Sequence, residues 1–189
     1  MDNIKNVENF LDSFGRDVVR SAKGFLKKDK GATKLAKTVG FKVVQEGDYL
    51  TVRFSMADYG EFVDKGVRGS GGVIPNGKYK GTWGGKRFYR TYEGKKRQSP
   101  YAYGKTRDGG LTRALDKWII KKGIAPRDKE GKFMPRKSIK FLMARAIYIR
   151  GIHGISFFQR GLELGFKNNR FTDGLLKAIK EDIIDNLTP

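Results

Sequence analysis

The sequence predicts an α+β fold, a small antiparallel sheet packed on an N-terminal and a C-terminal helix, with a long basic loop rich in glycine and aromatics inserted. Three observations lead there. Apolar residues recur at helical spacing near both ends, they alternate with a period of two between Val39 and Met56, and neither pattern survives from Gly66 to Arg107. The 189 residues suit one core, so a single domain spanning 1–189 is expected, with the extended loop at about 66–110.

Residues 3–28 place Ile4, Val7, Leu11, Phe14, Val18, Ala22 and Phe25 on one helical stripe. Asp2 or Asn3 can cap its start. Gly15 and Gly24 each cost about 1 kcal/mol relative to alanine, so the helix needs a packing partner. Gly31 breaks it. A hairpin follows. Val39, Phe41 and Val43 form one apolar face, Gln45–Asp48 turn the chain, and Leu50, Val52, Phe54 and Met56 form the matching face. Ala57–Gly66 then delivers the chain into the loop.

Beyond the loop, Leu111, Leu115, Trp118 and Ile119 mark a helix that stops before Gly123, with Pro126 close behind. Ala125–Ser138 is a polar connector. Ser138 is expected to cap a second helix, carrying Ile139, Leu142, Met143, Ala146, Ile147 and Ile149. Apolar on several faces, that helix is expected to be largely buried. Gly151 and Gly154 end it. Gly154–Phe166 reads as a short strand-like segment anchored by Phe157, Phe158, Leu162 and Leu164. Thr172 or Asp173 is expected to cap the last helix, whose core face is Leu175, Leu176, Ile179, Ile183 and Leu187.

The formal net charge is +20, from 40 Lys+Arg against 20 Asp+Glu. Such an excess points to a polyanionic neighbour. Within the loop, Lys78, Lys80, Lys86, Arg87, Arg90, Lys95, Lys96 and Arg97 are the candidates for meeting nucleic acid or a partner. Tyr79, Trp83, Phe88, Tyr89 and Tyr92 are the candidate interface aromatics. Cations neutralise phosphates without reading sequence. Aromatics stack on unpaired bases or anchor protein interfaces. A loop of this kind is expected to leave the core folded when Val73–Ser99 is removed, while assembly suffers.

Catalytic signals are missing. There is no cysteine, which excludes disulfides, Cys-based zinc sites and thiol nucleophiles. His153 is the single histidine and has no nucleophile motif around it. Asp58, Glu61 and Asp64 share one face only if their segment is helical, and a solvated cluster at a strand end is expected instead. Gly69–Gly72 and Gly81–Arg87 lack the spacing of a phosphate loop. No catalytic residue, metal or cofactor is therefore expected, and the protein is expected not to be an enzyme. The first residues do not read as a signal peptide, and no apolar run is long enough to cross a membrane. Synthesis in the cytosol fits both.

The stretch MADYGEFVDKGVRGSGG (Met56–Gly72) resembles the head–tail joining proteins (neck and tail-completion proteins) of tailed bacteriophages. In that family a sheet strand runs into a Tyr-Ala-x-x-Val/Ile-Glu-x-Gly step. Here Tyr59, Val63 and Gly66 hold their places, Gly60 replaces the alanine and Asp64 the glutamate. The family's later Pro-Phe-Leu-x-x-Ala step is similar to GISFFQRGLEL (Gly154–Leu164). Ser156, Phe157 and Phe158 stand in its first three places, without the proline, and Gly161 stands near the alanine. The resemblance implies a non-catalytic structural subunit of a ring at the portal–tail junction. Its partners would be further copies of itself, the portal, and other neck or tail proteins. DNA in the exit channel would meet it without sequence preference. It would reside in the neck or tail of the virion, assembled in the host cytoplasm, with no membrane partner. The alternative is a free basic nucleic-acid-binding protein acting in packaging or with RNA.

Overall fold

In a computed structural model, residues 4–31, 33–47, 49–103, 110–167 and 170–188 are described. In chain order the elements begin with α1 (Lys5–Lys30), α2 (Thr33–Thr38), β1 (Gly40–Glu46), β2 (Tyr49–Ser55) and α3 (Gly60–Lys65). Short strands follow: β3 (Val67–Arg68), β4 (Gly72–Ile74), β5 (Gly81–Trp83), β6 (Phe88–Arg90) and β7 (Lys96–Gln98). The chain closes with α4 (Gly110–Lys121), α5 (Arg136–Arg150), β8 (Gly151–Ile152), α6 (Phe157–Phe166) and α7 (Arg170–Leu187). The fold is α+β, with helices at both ends and small antiparallel sheets between. The chain divides into two compact units, 1–64 with 89–97 and 155–189, and 65–88 with 98–154.

The first unit is built on α1. Leu11, Val18 and Ala22 of the expected stripe are buried, and Ala22 clusters with Val19 and Leu26, which lay outside that stripe, and with Leu35 and Ala36 of α2, Val39 and Phe157. Gly31 ends the helix in the left-handed region (φ 58°), where the missing Cβ removes the strain. β1 and β2 pair in register, with Phe41 opposite Phe54 and Val43 opposite Val52. Phe41 lies over Gly15, where a Cβ would sit 2.2 Å from its ring. The interior glycine thus makes room for the sheet on the helix. Gly24 faces open space.

Two buried aspartates cap helices from distant parts of the chain. Asp2 and Asn3, the expected caps of α1, lie outside the described residues. Ile4 stands at the N-cap and gives no side-chain bond. The carboxylate of Asp182, on α7, instead accepts the N–H of Asn6 (2.8 Å) and of Val7 (3.0 Å). Negative charge at a helix start also suits the macrodipole. Asp64 does the same for α6, accepting the Phe158 N–H at 2.8 Å, with Gln159 Nε2 at 3.5 Å. Asp64 is 2% exposed, so the expected solvated cluster with Asp58 and Glu61 is wrong at this position. Helical geometry in α3 turns Asp64 inward.

Three further expectations fail here. Gly154–Phe166 is not strand-like, because Phe157–Phe166 is the helix α6. Phe157, Gly161 and Leu164 recur at helical spacing, and Gly161 lets α6 lie against α1 with Val18 O 3.0 Å from where its Cβ would be. Thr172 and Asp173 do not cap α7, which already begins at Arg170. The apolar face expected in the core is largely in solvent, since Leu176, Ile179, Ile183 and Leu187 are exposed. Ala178 and Asp182 form the buried side instead, because the contact with α1 needs a small residue and a cap.

The second unit has little of this side-chain core. α4 packs on α5 and buries Leu115 and Ile119, while α5 buries only Ile139 and Ile149. The expected burial of α5 fails because Phe141 and Leu142 find no cover. Ser138 is not its cap either. Pro135 stands there, and the Ser138 N–H donates to the Pro135 carbonyl at 2.9 Å.

What holds this unit is backbone against backbone. β3 pairs with β8, Arg68 facing Gly151, and β4 pairs with β5. The Gly69 N–H donates to Gly85 O (2.8 Å), Ser70 N–H to Tyr148 O (2.9 Å) and Gly71 N–H to Ile149 O (3.0 Å). Ser99 Oγ donates to Gly66 O at 2.7 Å. A Cβ on Gly85 would lie 2.5 Å from Gly69 O, and one on Gly151 (φ 76°) 2.3 Å from Val67 O. The segment from Gly66 to Tyr103 is therefore not an appended loop. Gly66, Gly69, Gly71 and Gly85 are where backbone segments of this unit touch. Removing Val73–Ser99 would take away Gly85 and Ser99 and their bonds, so the second unit is expected to lose its fold in that deletion. Residues 104–109 lie outside the described residues.

Candidate interaction surface

The candidate residues of the basic segment divide between the two units. In the first unit, β6 and β7 pair, and the turn closes through Thr91 N–H to Lys95 O (2.8 Å) and Gly94 N–H to Thr91 O (3.0 Å). Arg90 is tied down, its N–H donating to Ser156 Oγ at 2.8 Å and its guanidinium pairing with Glu163. Tyr92 packs its ring against Phe166, centroids 5.8 Å apart, and Tyr89 is half-buried. Lys95 pairs with Glu93 at 3.1 Å, and that contact holds the Glu93 carboxyl below its usual range. Lys96 and Arg97 are exposed. Arg90 and Tyr92 are thus anchored within the unit while staying exposed beside the lysines and Arg97.

In the second unit Lys78, Lys80 and Lys86 are exposed, as is Phe88, while Arg87 is half-buried. Tyr79 and Trp83 are partly engaged within the unit. The Arg150 guanidinium lies 3.7 Å from the Tyr79 ring centre and 4.7 Å from that of Trp83. The Trp83 indole N–H donates to Tyr79 O at 2.9 Å. Stacking of this kind contributes about 0.5–2 kcal/mol and fixes the plane of the guanidinium.

Arg150 brings positive charge with no carboxylate paired to it among the described residues. Burial, and then the neighbouring charge of Arg150, lower the pKa of Arg87. The Nε–H groups of Arg68, Arg87 and Arg150 are buried without an acceptor among the described residues. The Tyr103 hydroxyl is buried likewise, and burial raises its pKa. Its ring packs beside Tyr148, centroids 5.9 Å apart.

Alongside this cluster runs a cleft of about 500 Å³. Ile74, Leu142, Met143 and Ile147 give it an apolar floor, and Lys78, Arg145 and Arg150 stand in its wall. Arg145 and Arg150 lie outside the basic segment, on a helix whose apolar residues predict a core position. The signal was there: residues 136–150 contain Arg136, Lys137, Lys140, Arg145 and Arg150 and no acid.

His153 is exposed, with ring Nδ1 against Gly154 O. Among the described residues no group of three or more His, Asp or Glu is placed to hold a metal ion, and no helix is long and apolar enough to cross a membrane. No protein-family model, curated protein or solved structure matches the chain.

Proposed function

We propose that this chain is a structural subunit of an oligomeric ring at the head–tail junction of a bacteriophage virion, helping to join the portal to the tail around the DNA channel. The observation that carries this reading is the Tyr59–Gly66 step. It leaves a sheet strand, forms α3, and ends at Gly66 with φ 74°. Along it, Val63 O accepts the Ile155 N–H at 3.1 Å and Asp64 caps α6. The two segments that resemble the neck proteins, Met56–Gly72 and Gly154–Leu164, thus touch each other. The net charge of +20 suits a subunit that borders DNA. Its role is positional, with no chemical step and no cofactor.

Two measurements test this. Mass spectrometry of purified virions should find the chain in low, fixed copy number, and native mass measurement with the portal should show a ring. A strictly monomeric protein absent from virions would refute the proposal.

The second reading, a free basic nucleic-acid-binding protein, is favoured by the exposed Lys78, Lys80, Lys86, Lys96 and Arg97. It requires isolated protein to bind DNA or RNA with an affinity that falls steeply with salt. No binding at moderate salt would remove it and leave the ring untouched.

A further inference from the structure

We propose that the cleft between β4 and α5 is the docking site for an acidic, aliphatic-anchored peptide segment of a neighbouring protein. Placing that neighbour in the virion neck rests on the ring reading, whereas the binding chemistry belongs to this chain alone.

The wall of the cleft is positive and unbalanced. Lys78, Arg145 and Arg150 line it, and no carboxylate does among the described residues. Charges set against an apolar wall are less screened than charges in open water, so they select an anion. Arg150 is held ready. Its guanidinium is fixed over Tyr79 and Trp83 before any ligand arrives. A planar guanidinium meets a carboxylate through two parallel N–H···O bonds, and a fork already oriented loses less entropy in forming them. A carboxylate here would also offset the repulsion between Arg150 and Arg87.

The floor selects the class of macromolecule. Ile74, Met143 and Ile147 offer only apolar contact, and Leu142 is left 53% exposed. A nucleic-acid strand would satisfy the cations and set sugar and phosphate against this floor. A peptide with leucine or isoleucine beside aspartate or glutamate satisfies both surfaces. At about 500 Å³ the cleft falls within the range of about 300–1,000 Å³ typical of sites that enclose a ligand.

The test pans a random dodecapeptide display library against the full chain. The most enriched peptide is then synthesised and its binding followed by fluorescence anisotropy. Enriched peptides should combine an acidic residue with an aliphatic one. Lys78→Glu combined with Arg145→Glu should weaken binding about tenfold or more. Both side chains are exposed, so an unchanged circular dichroism spectrum is expected, and Leu142→Asp gives an independent loss through the floor. No enrichment, enriched peptides without acids, or binding indifferent to these substitutions would overturn the proposal. An oligo-dT strand that binds in their place and is weakened by the same substitutions would overturn it in favour of nucleic acid. Absence of the chain from virions would refute the ring and leave a positive peptide result standing. A virion protein that enriches no acidic peptide loses only the cleft assignment.

Discussion

In the first unit the tightest packing is a side chain among side chains. Phe157 is fully buried between α1, α2 and the hairpin. In the second unit the tightest packing is main chain on main chain, at Gly66, Gly69, Gly85 and Gly151. An apolar core tolerates gradual change in volume, since neighbours relax around it. A backbone contact tolerates no added atom, because the obstructing carbonyl is itself fixed by hydrogen bonds. The first unit therefore degrades by degrees, and the second fails at single atoms. That rigidity suits a surface that must hold Arg150, Tyr79 and Trp83 in one geometry.

The largest effect should come from deleting Val73–Ser99, which ought to abolish the folded state of the second unit, seen as loss of the near-ultraviolet signal of Trp118. Next is Phe157→Ala, expected to cost about 3–5 kcal/mol in urea unfolding, the usual range for emptying a phenylalanine site. Gly151→Ala should cost about 3 kcal/mol from one methyl group, combining a glycine-only backbone conformation with overlap on Val67 O.

Asp182→Ala should cost about 1–3 kcal/mol, because it leaves the Asn6 and Val7 N–H groups without their acceptor. Amide exchange in the first turn of α1 would rise with it. Tyr103 gives a smaller, pH-dependent effect. Its folded pKa is raised by burial, so its contribution is fully present below the unfolded value of about 10 and is lost as pH climbs through the folded value. Tyr103→Phe should flatten that alkaline decline in a comparison of thermal midpoints. The smallest effect is a gain: Gly24→Ala fills open space on α1 and should add about 1 kcal/mol.

The same contrast governs what the sequence disclosed. α1 was legible because its stripe, from Ile4 to Phe25, repeats for seven positions in one period. The hairpin was legible because its alternation is local. The caps were not, since Asp64 and Asp182 serve helices 94 and 176 residues away. Ten residues with two adjacent phenylalanines, 157–166, look like a strand until α1 is there for Gly161 to approach. The glycines of 66–85 signalled sharp turns and close approach, but not that strands from both ends of the unit meet on them. In the candidate site, the exposure of the lysines follows from composition. The stacking that makes Arg150 its centre depends on three segments and has no local pattern.

Hydrogen–deuterium exchange on Gly151→Ala tests the central contrast most directly. Faster exchange should appear across residues 65–88 and 110–154, while Val18–Leu26 of α1 keeps its protection. Equal loss of protection in α1 would mean that the two units are not held by separate means, and would contradict the account.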